Sequence, residues 1–290
     1  MSYVILTDSS ANLTDELIEQ FDLGVVSFTF HVGDKEIKSY IKGQKTDLKQ
    51  FYTMMRNKEH ITTSLVSPDA FTEFFEEYLK QGLDILYIGF SSGLSGTYQS
   101  STIAAESLRE AYPDRKILTV DTLSACLGLG LLVYHAAVMK QEGKSIDEVY
   151  NWLMENRLRM CHWFTCDDLF FLKRGGRISG TAAVFGSILQ VKPVMHVDND
   201  GKLAVVSKAR GRKQSLQELV KHMEETVEAP QEQMIYIAHG DCAEEAEYVR
   251  RLVEEKFSVK GVLMNCIDPV IGSHAGPGTM ALFYLGKHRD

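Results

Sequence analysis

Hydroxyls and glycines crowd into one stretch of this 290-residue chain, Ile88–Ser100, which reads IGFSSGLSGTYQS. An apolar strand-like run leads into Ser91, Ser92, Gly93, Ser95, Gly96 and Thr97, and a helical pattern with Ile103, Ala104 and Ala105 follows. Glycines let the backbone turn sharply and approach a ligand, and the free N–H groups of a helix start favour an anion. The serine hydroxyls add further donors. A serine-capped strand-to-helix turn with no ligand explains the same residues. Neither the phosphate-loop pattern GxxxxGK[ST] nor GxGxxG stands at a strand end. Gly89-Phe90-Ser91-Ser92-Gly93 does fit GxSxG, the nucleophile elbow of α/β-hydrolases, and Asp241 or Asp268 and then His274 follow in hydrolase order. A serine esterase using Ser91 or Ser92 with His274 is therefore a rival reading, weakened because no HGGG-type segment lies upstream.

Other segments carry the same kind of chemistry. Thr62-Thr63-Ser64 places three hydroxyls just before a helix start, as ligand donors or as a plain helix entry. His274 sits among three glycines and a proline in IGSHAGPG, which predicts a rigid exposed loop presenting the imidazole. Two basic clusters stand out, Lys173-Arg174-Gly175-Gly176-Arg177 and Lys208–Lys213 with Arg210 at its centre. Arginine beside glycine suits phosphate or carboxylate, because the backbone adds donors, although basic runs are commonly solvated turns. Asp8-Ser9-Ser10 reads as a cap for a helix entered at Asn12–Asp15, while Asp8 also sits where open α/β sheets place ligands. Cys161 and Cys166 flank His162, but no second Cys/His pair at zinc spacing accompanies them, so no metal site is expected.

These groups need a frame. Tyr3–Thr7, Ile85–Phe90 and Lys116–Val120 read as strands that end in polar residues or glycine. Between them Ser67-Pro68-Asp69 opens a helix with Phe71, Phe74, Phe75, Tyr78 and Leu79 at helical spacing, and Ser145 with Glu148 forms a capping box. Apolar strands alternating with helices predict a parallel sheet covered on both faces. Leu123–Met139 is apolar but short of a membrane span and reads as a buried helix. After about residue 160, strands at His162–Cys166, Pro193–Val197 and Leu203–Ser207 come close together, with a hairpin turn at Asp198–Gly201. Helices near 214–227 and 243–257, and strands at Met234–His239, Gly261–Cys266 and Ala281–Leu285, complete the pattern. The expected architecture is α/β in two tightly packed domains. Residues 1–160 form a parallel three-layer α/β/α unit carrying the hydroxyl site, and 161–290 a mixed-sheet α/β unit.

Composition narrows the function classes. Lys plus Arg number 31 against 39 Asp plus Glu, a net charge of −8, which argues against a nucleic-acid partner. The five cysteines are scattered and odd in number, pointing to reduced thiols rather than a disulfide scaffold. The start MSYVILTDSS lacks the basic, apolar and small-residue regions of a signal peptide, and a cytoplasmic location without a transmembrane segment is expected.

Taken together, TDSSANLT (7–14), TTSLVSP (62–68), SSGLSGTYQS (91–100), VDTLSACLGLG (120–130), KRGGRISG (173–180), LQVKPV (189–194) and SHAGPG (273–278) resemble, in order, the motifs of the DegV family. The likeness is to the fatty-acid-binding subunits of bacterial fatty acid kinase. The family's TSQP signature departs here to Thr63-Ser64-Leu65-Val66. The resemblance implies a long-chain fatty acid buried in a tunnel, with Thr63 and Ser92 binding its carboxylate and His274 beside them. Ser64, Ser95 and Arg177 are further candidate contacts. It implies no catalysis by this chain, no metal and no cofactor beyond the bound lipid. A separate ATP-dependent kinase would phosphorylate the carboxylate, with Arg210 and His274 serving that encounter. Burying about 14 methylenes at ~0.8 kcal/mol each gives a gross drive on the order of 11 kcal/mol. The 14 phenylalanines and 11 methionines could line such a tunnel, as they could any core.

Overall fold

The computed structural model describes residues 2–178 and 191–289. The ends of two motifs, Ser179-Gly180 and Leu189-Gln190, lie outside the described residues. Strands β1 (Tyr3–Asp8), β2 (Gly24–Val26), β6 (Asp84–Gly89) and β7 (Ile117–Asp121) form a parallel sheet in the order β2-β1-β6-β7. Every residue of β1 and β6 is buried, because helices cover both faces. The helix Pro68–Leu79 starts on Ser67, whose Oγ accepts from the Ala70 N–H, and buries Phe71, Phe75 and Leu79 along one stripe. Thr97–Ala111 follows the serine loop, and Ile146–Asn156 starts with the expected Ser145–Glu148 capping box. The apolar run does become a buried helix, Leu127–Gln141. It is preceded by a turn in which Leu123 and Cys126 both take positive φ.

The entry after β1 is built in two steps. Asp8 caps a short 3-10 turn, Ser9–Ala11, and Thr14 caps the helix Asp15–Gln20 that follows. A three-stranded antiparallel sheet, not among the elements that the sequence pattern predicts, stands beside this unit. It comprises β3 (Thr29–Val32), β4 (Lys35–Lys38) and β5 (Ile61–Ser64), ordered β4-β3-β5. With the helix Leu48–Arg56 it closes a small core of Phe30, Phe51, Tyr52, Met55 and Ile61. Thr62-Thr63-Ser64 therefore ends a strand.

The remaining strands make one mixed sheet: β8 (Met160–Thr165), β9 (Val191–Val197), β10 (Leu203–Arg210), β11 (Met234–His239), β12 (Gly261–Cys266) and β13 (Met280–Leu285). Their order is β10-β9-β8-β13-β11-β12, with β11 and β12 parallel and the other pairs antiparallel. Strand alternation divides the central residues between two faces. Cys161, Trp163, Leu282 and Tyr284 face the helices Arg212–Thr226 and Ala243–Lys256, whereas Phe164, Ala281 and Phe283 join the core that also holds β1, β6 and Leu127–Gln141. The largest hydrophobic core is thus shared by both sheets.

Polar ties cross the same boundary. Arg289, 1% exposed, donates to the carbonyls of Met160, Leu123, Asp198 and Arg157 and to Ser124 Oγ. Asn12 accepts from the Asp268 N–H on its side chain and from Asn265 Nδ2 on its carbonyl.

Candidate functional site

A cavity of about 330 Å³ opens between the carboxyl end of the parallel sheet and the inner face of the mixed sheet. That is the small end of the ligand-pocket range of roughly 300–1,000 Å³. One wall is the inner side of β8 and β13, where His162 pairs with Phe283 and Phe164 with Ala281. The facing wall comes from Phe28, Phe90, Leu94 and the Ala125-Cys126 turn, and Val270, Ile271 and Ala275 close a third side.

The polar groups gather at one end. Thr63 and Ser64 come from the end of β5, Ser95 from the serine loop, Arg177 from the basic segment, and His274 from the helix Pro269–Ala275. Ser64, Leu65 and Gly96 are solvent-exposed there, so this end is the mouth. The loop and the strand are tied together. Ser95 Oγ accepts from the Thr97 N–H at 3.2 Å, and Thr97 Oγ1 accepts from the Val66 N–H at 3.3 Å.

His274 is helical and half-buried, not displayed on an exposed loop. Asp268 caps that helix through the N–H groups of Val270 and Ile271, Pro269 takes its first position, and Gly276 ends it at φ 85°. The glycines beside it serve close packing. A Cβ at Gly276 would lie 2.6 Å from the Phe171 ring, and one at Gly175 only 2.2 Å from His274 Nδ1. Nε2 pairs with Thr63 Oγ1 at 2.8 Å, while Nδ1 is buried without a partner. A buried N–H with no acceptor is rarer than a bare lone pair, so the proton belongs on Nε2, donating to Thr63. The threonine hydroxyl proton then remains for an acceptor in the cavity. Burial, with the charges of Arg177 and Arg174 adding to it, pushes the His274 pKa down to about 4. The imidazole is neutral at pH 7.

Arg177 lines the cavity, with its guanidinium braced on the carbonyls of Leu94 and Gly175. The structure therefore brings Thr63, Ser64, Ser95, Arg177 and His274 to one mouth. It does not bring Ser92, which is exposed, lies outside the lining and directs its N–H to Asp121. Arg210 is exposed at the end of β10 and also lies outside it. The polar end draws on both halves of the chain, Thr63 and Ser95 from one and Arg177 and His274 from the other.

The hydrolase arrangement is not assembled. Ser91 Oγ is buried and donates to the Gly201 carbonyl, and His274 Nε2 is bonded to Thr63 rather than to a serine. Asp241 pairs with Arg56, and Asp268 is occupied as a helix cap. Three separate sheets replace the single hydrolase sheet. Among the described residues, no group of three or more His, Cys, Asp or Glu side chains is placed to hold a metal ion. None of their helices is long and apolar enough to cross a membrane.

The cavity lining also includes His162 and Cys126. Their types suggested a metal ligand or a reduced thiol, and the apolar residues around them gave no sign that they line a cavity.

The sequence profile of the DegV family, described as an uncharacterised protein family, matches residues 2–287. The chain belongs to the DegV family. A DegV domain-containing protein of Clostridium perfringens is 48% identical over 288 residues, covering 99% of each chain. Among solved structures, a fatty-acid-binding DegV protein from Thermus thermophilus superposes with a TM-score of 0.88 at 29% identity, over 98% of this chain and 100% of the other. A DegV fatty-acid-binding protein from Bacillus subtilis gives 0.84 at 27% identity, over 99% and 100%. The α/β fold with one parallel and one mixed sheet is the DegV fold.

Proposed function

We propose that this DegV protein binds a long-chain fatty acid in the cavity, acyl chain inward and carboxylate at the mouth. One observation carries the reading: a largely apolar cavity whose hydroxyl groups and Arg177 gather at its open end, with His162 inside it already paired to backbone. A fatty acid has that same division. At the mouth, Thr63 Oγ–H donates to the carboxylate, Ser95 supplies a second hydroxyl, and Arg177 adds positive charge from the side. Neutral His274 orients the threonine. Ser95 replaces Ser92 in this role, because only Ser95 lines the cavity. The Thermus and Bacillus relatives, named as fatty-acid-binding, support the ligand class.

The finer reading is that of a carrier with no turnover of its own, working in the cytoplasm. A partner ATP-dependent kinase would engage the mouth, the carboxylate oxygen would attack the γ-phosphoryl group of ATP, and ADP would leave, giving an acyl phosphate. Support for the partner is the family resemblance together with the position of Arg210. Two residues on, Arg212 donates to the carbonyl of Gly278, in the turn that follows His274, so this basic segment borders the polar end.

Native mass spectrometry of the purified protein tests the ligand: a mass increment of one fatty acid is expected, and a protein that stays empty in added fatty acid refutes the reading. In a reconstituted kinase assay, Arg210→Ala is expected to keep lipid binding within a few-fold and to impair phosphorylation. Lost binding with normal phosphorylation per bound lipid would reverse the assigned role.

A further inference from the structure

We propose that His162 and Phe283 form a rigid aromatic stop at the inner end of the cavity, which sets a sharp upper limit on acyl-chain length and excludes chains with a polar tail. The inference rests on the fatty-acid reading above and adds which fatty acids are accepted.

Strand register gives the direction. Thr279 lies beside His274's helix, where its Oγ1 donates to the Ala275 carbonyl. The Ala281–Phe164 pair comes next along β13, and Phe283–His162 follows. At about 3.3 Å per residue, Phe283 is about 13 Å further in than Thr279. His162 and Phe283 are each 2% exposed, against 52% for Leu65 at the mouth, so the pair is buried away from the opening. Val197 and Leu203, paired across β9 and β10, flank this end.

The imidazole has no freedom to retreat. His162 Nδ1–H donates to the Met160 carbonyl at 3.0 Å, and Nε2 accepts from the Ala125 N–H at 3.3 Å. Behind the imidazole stands Gly128, so close that a Cβ there would fall 2.1 Å from Nε2. Phe283 meets the ring edge-on, centroids 5.5 Å apart and planes at 82°. Burial holds the His162 imidazole well below its ordinary pKa, so the stop stays uncharged. A tunnel ended by methionines would yield to longer chains, since that side chain repacks easily. No methionine is among the described lining residues. Because both imidazole nitrogens are engaged by backbone, the stop offers no partner to a terminal hydroxyl, whose burial unpaired is costly.

The test is a binding series of saturated fatty acids of increasing length, with an ω-hydroxy acid of the best-bound length. In the wild-type protein, affinity should rise with each methylene, up to about fourfold per step, and then drop at least tenfold within two carbons. The ω-hydroxy acid should bind at least tenfold more weakly than its parent. Phe283→Ala should move the drop to longer chains. Gly128→Ala, whose methyl must displace the imidazole towards its open side, should move it to shorter ones. Phe283→Leu is the milder variant should Phe283→Ala lose its cooperative thermal transition. A wild-type profile without a drop, or folded Phe283 variants with the drop unmoved, overturns the stop. A wild-type protein that binds no fatty acid of any length overturns the underlying reading, which distinguishes the two failures.

Discussion

The hydroxyl of Thr63 accepts from the imidazole of His274 across the mouth and keeps its own proton to donate, so each can be removed with a distinct effect. Thr63→Val keeps the shape and deletes the donor to a charged acceptor. That interaction is worth about 1.5–3 kcal/mol, so fatty-acid affinity should fall by roughly one to two orders of magnitude in a titration. Ser95→Ala should weaken binding in the same assay, and Ser92→Ala should leave it near wild type; the reverse ranking would reinstate Ser92. His274 predicts a pH dependence. Its native pKa is about 4 against an ordinary value of 6.5, so between those values the unfolded chain holds more protons than the native one. Stability from this residue is complete above pH 6.5 and is lost as pH falls towards 4. Melting temperatures from pH 7 to 4.5 should therefore decline more steeply for wild type than for His274→Gln. Residue types were readable at this scale, and the motifs marked Thr63 and His274 directly. Which serine lines the cavity was not readable, because loop direction is set by a tertiary contact. Gly93 packs so closely on the Asp200-Gly201 hairpin that a Cβ would lie 2.6 Å from the Asp200 carbonyl oxygen.

Two helix caps with the same local logic have different reach. Ser145 caps a solvent-facing helix start, and Asp268 caps the helix that carries His274. Either change to alanine should lower stability by about 0.5–2 kcal/mol. Only Asp268→Ala should also weaken fatty-acid binding, as measured by comparing denaturant midpoints with ligand affinity. Strands β1, β6 and β7, the Ser67 and Ser145 helix starts and the Asp198–Gly201 hairpin were legible, because each shows in neighbouring residues, whereas the three-residue edge strand β2 was too short to show. The three-stranded sheet was not. Its β4 reads KEIK and is largely exposed, and β5 reads ITTS with exposed and half-buried hydroxyls, so neither shows the apolar run or clean alternation that marks a strand. Their pairing with β3 supplies what their composition lacks.

The two sheets share one core, and Arg289 pins them at the chain end. Removing its side chain takes the donor from the carbonyls of Leu123 and Arg157, each costing on the order of 1–3 kcal/mol, whereas the Met160 carbonyl keeps the His162 Nδ1–H. Arg289→Ala should therefore lose several kcal/mol in equilibrium unfolding, with a single transition for both sheets. Two separated transitions in the wild-type protein would contradict the shared core. The switch from parallel to mixed pairing showed as a change in strand pattern near residue 160, but the extent of the shared core did not, because β8 and β13 bury both faces and alternation is masked.

Thr63 and His274 meet across 211 positions of sequence, and that distance governs when the site exists. A chain still being synthesised has β5 and the serine loop long before it has the last helix and β13, so no nascent intermediate presents a closed cavity. Loop-closure entropy must be met before this contact forms, which places the binding site among the late events of folding. A ligand then cannot act as a template for early structure. On the fatty-acid reading it would act as a latch on the finished fold, stabilising it against global unfolding by an amount that grows with ligand concentration relative to Kd.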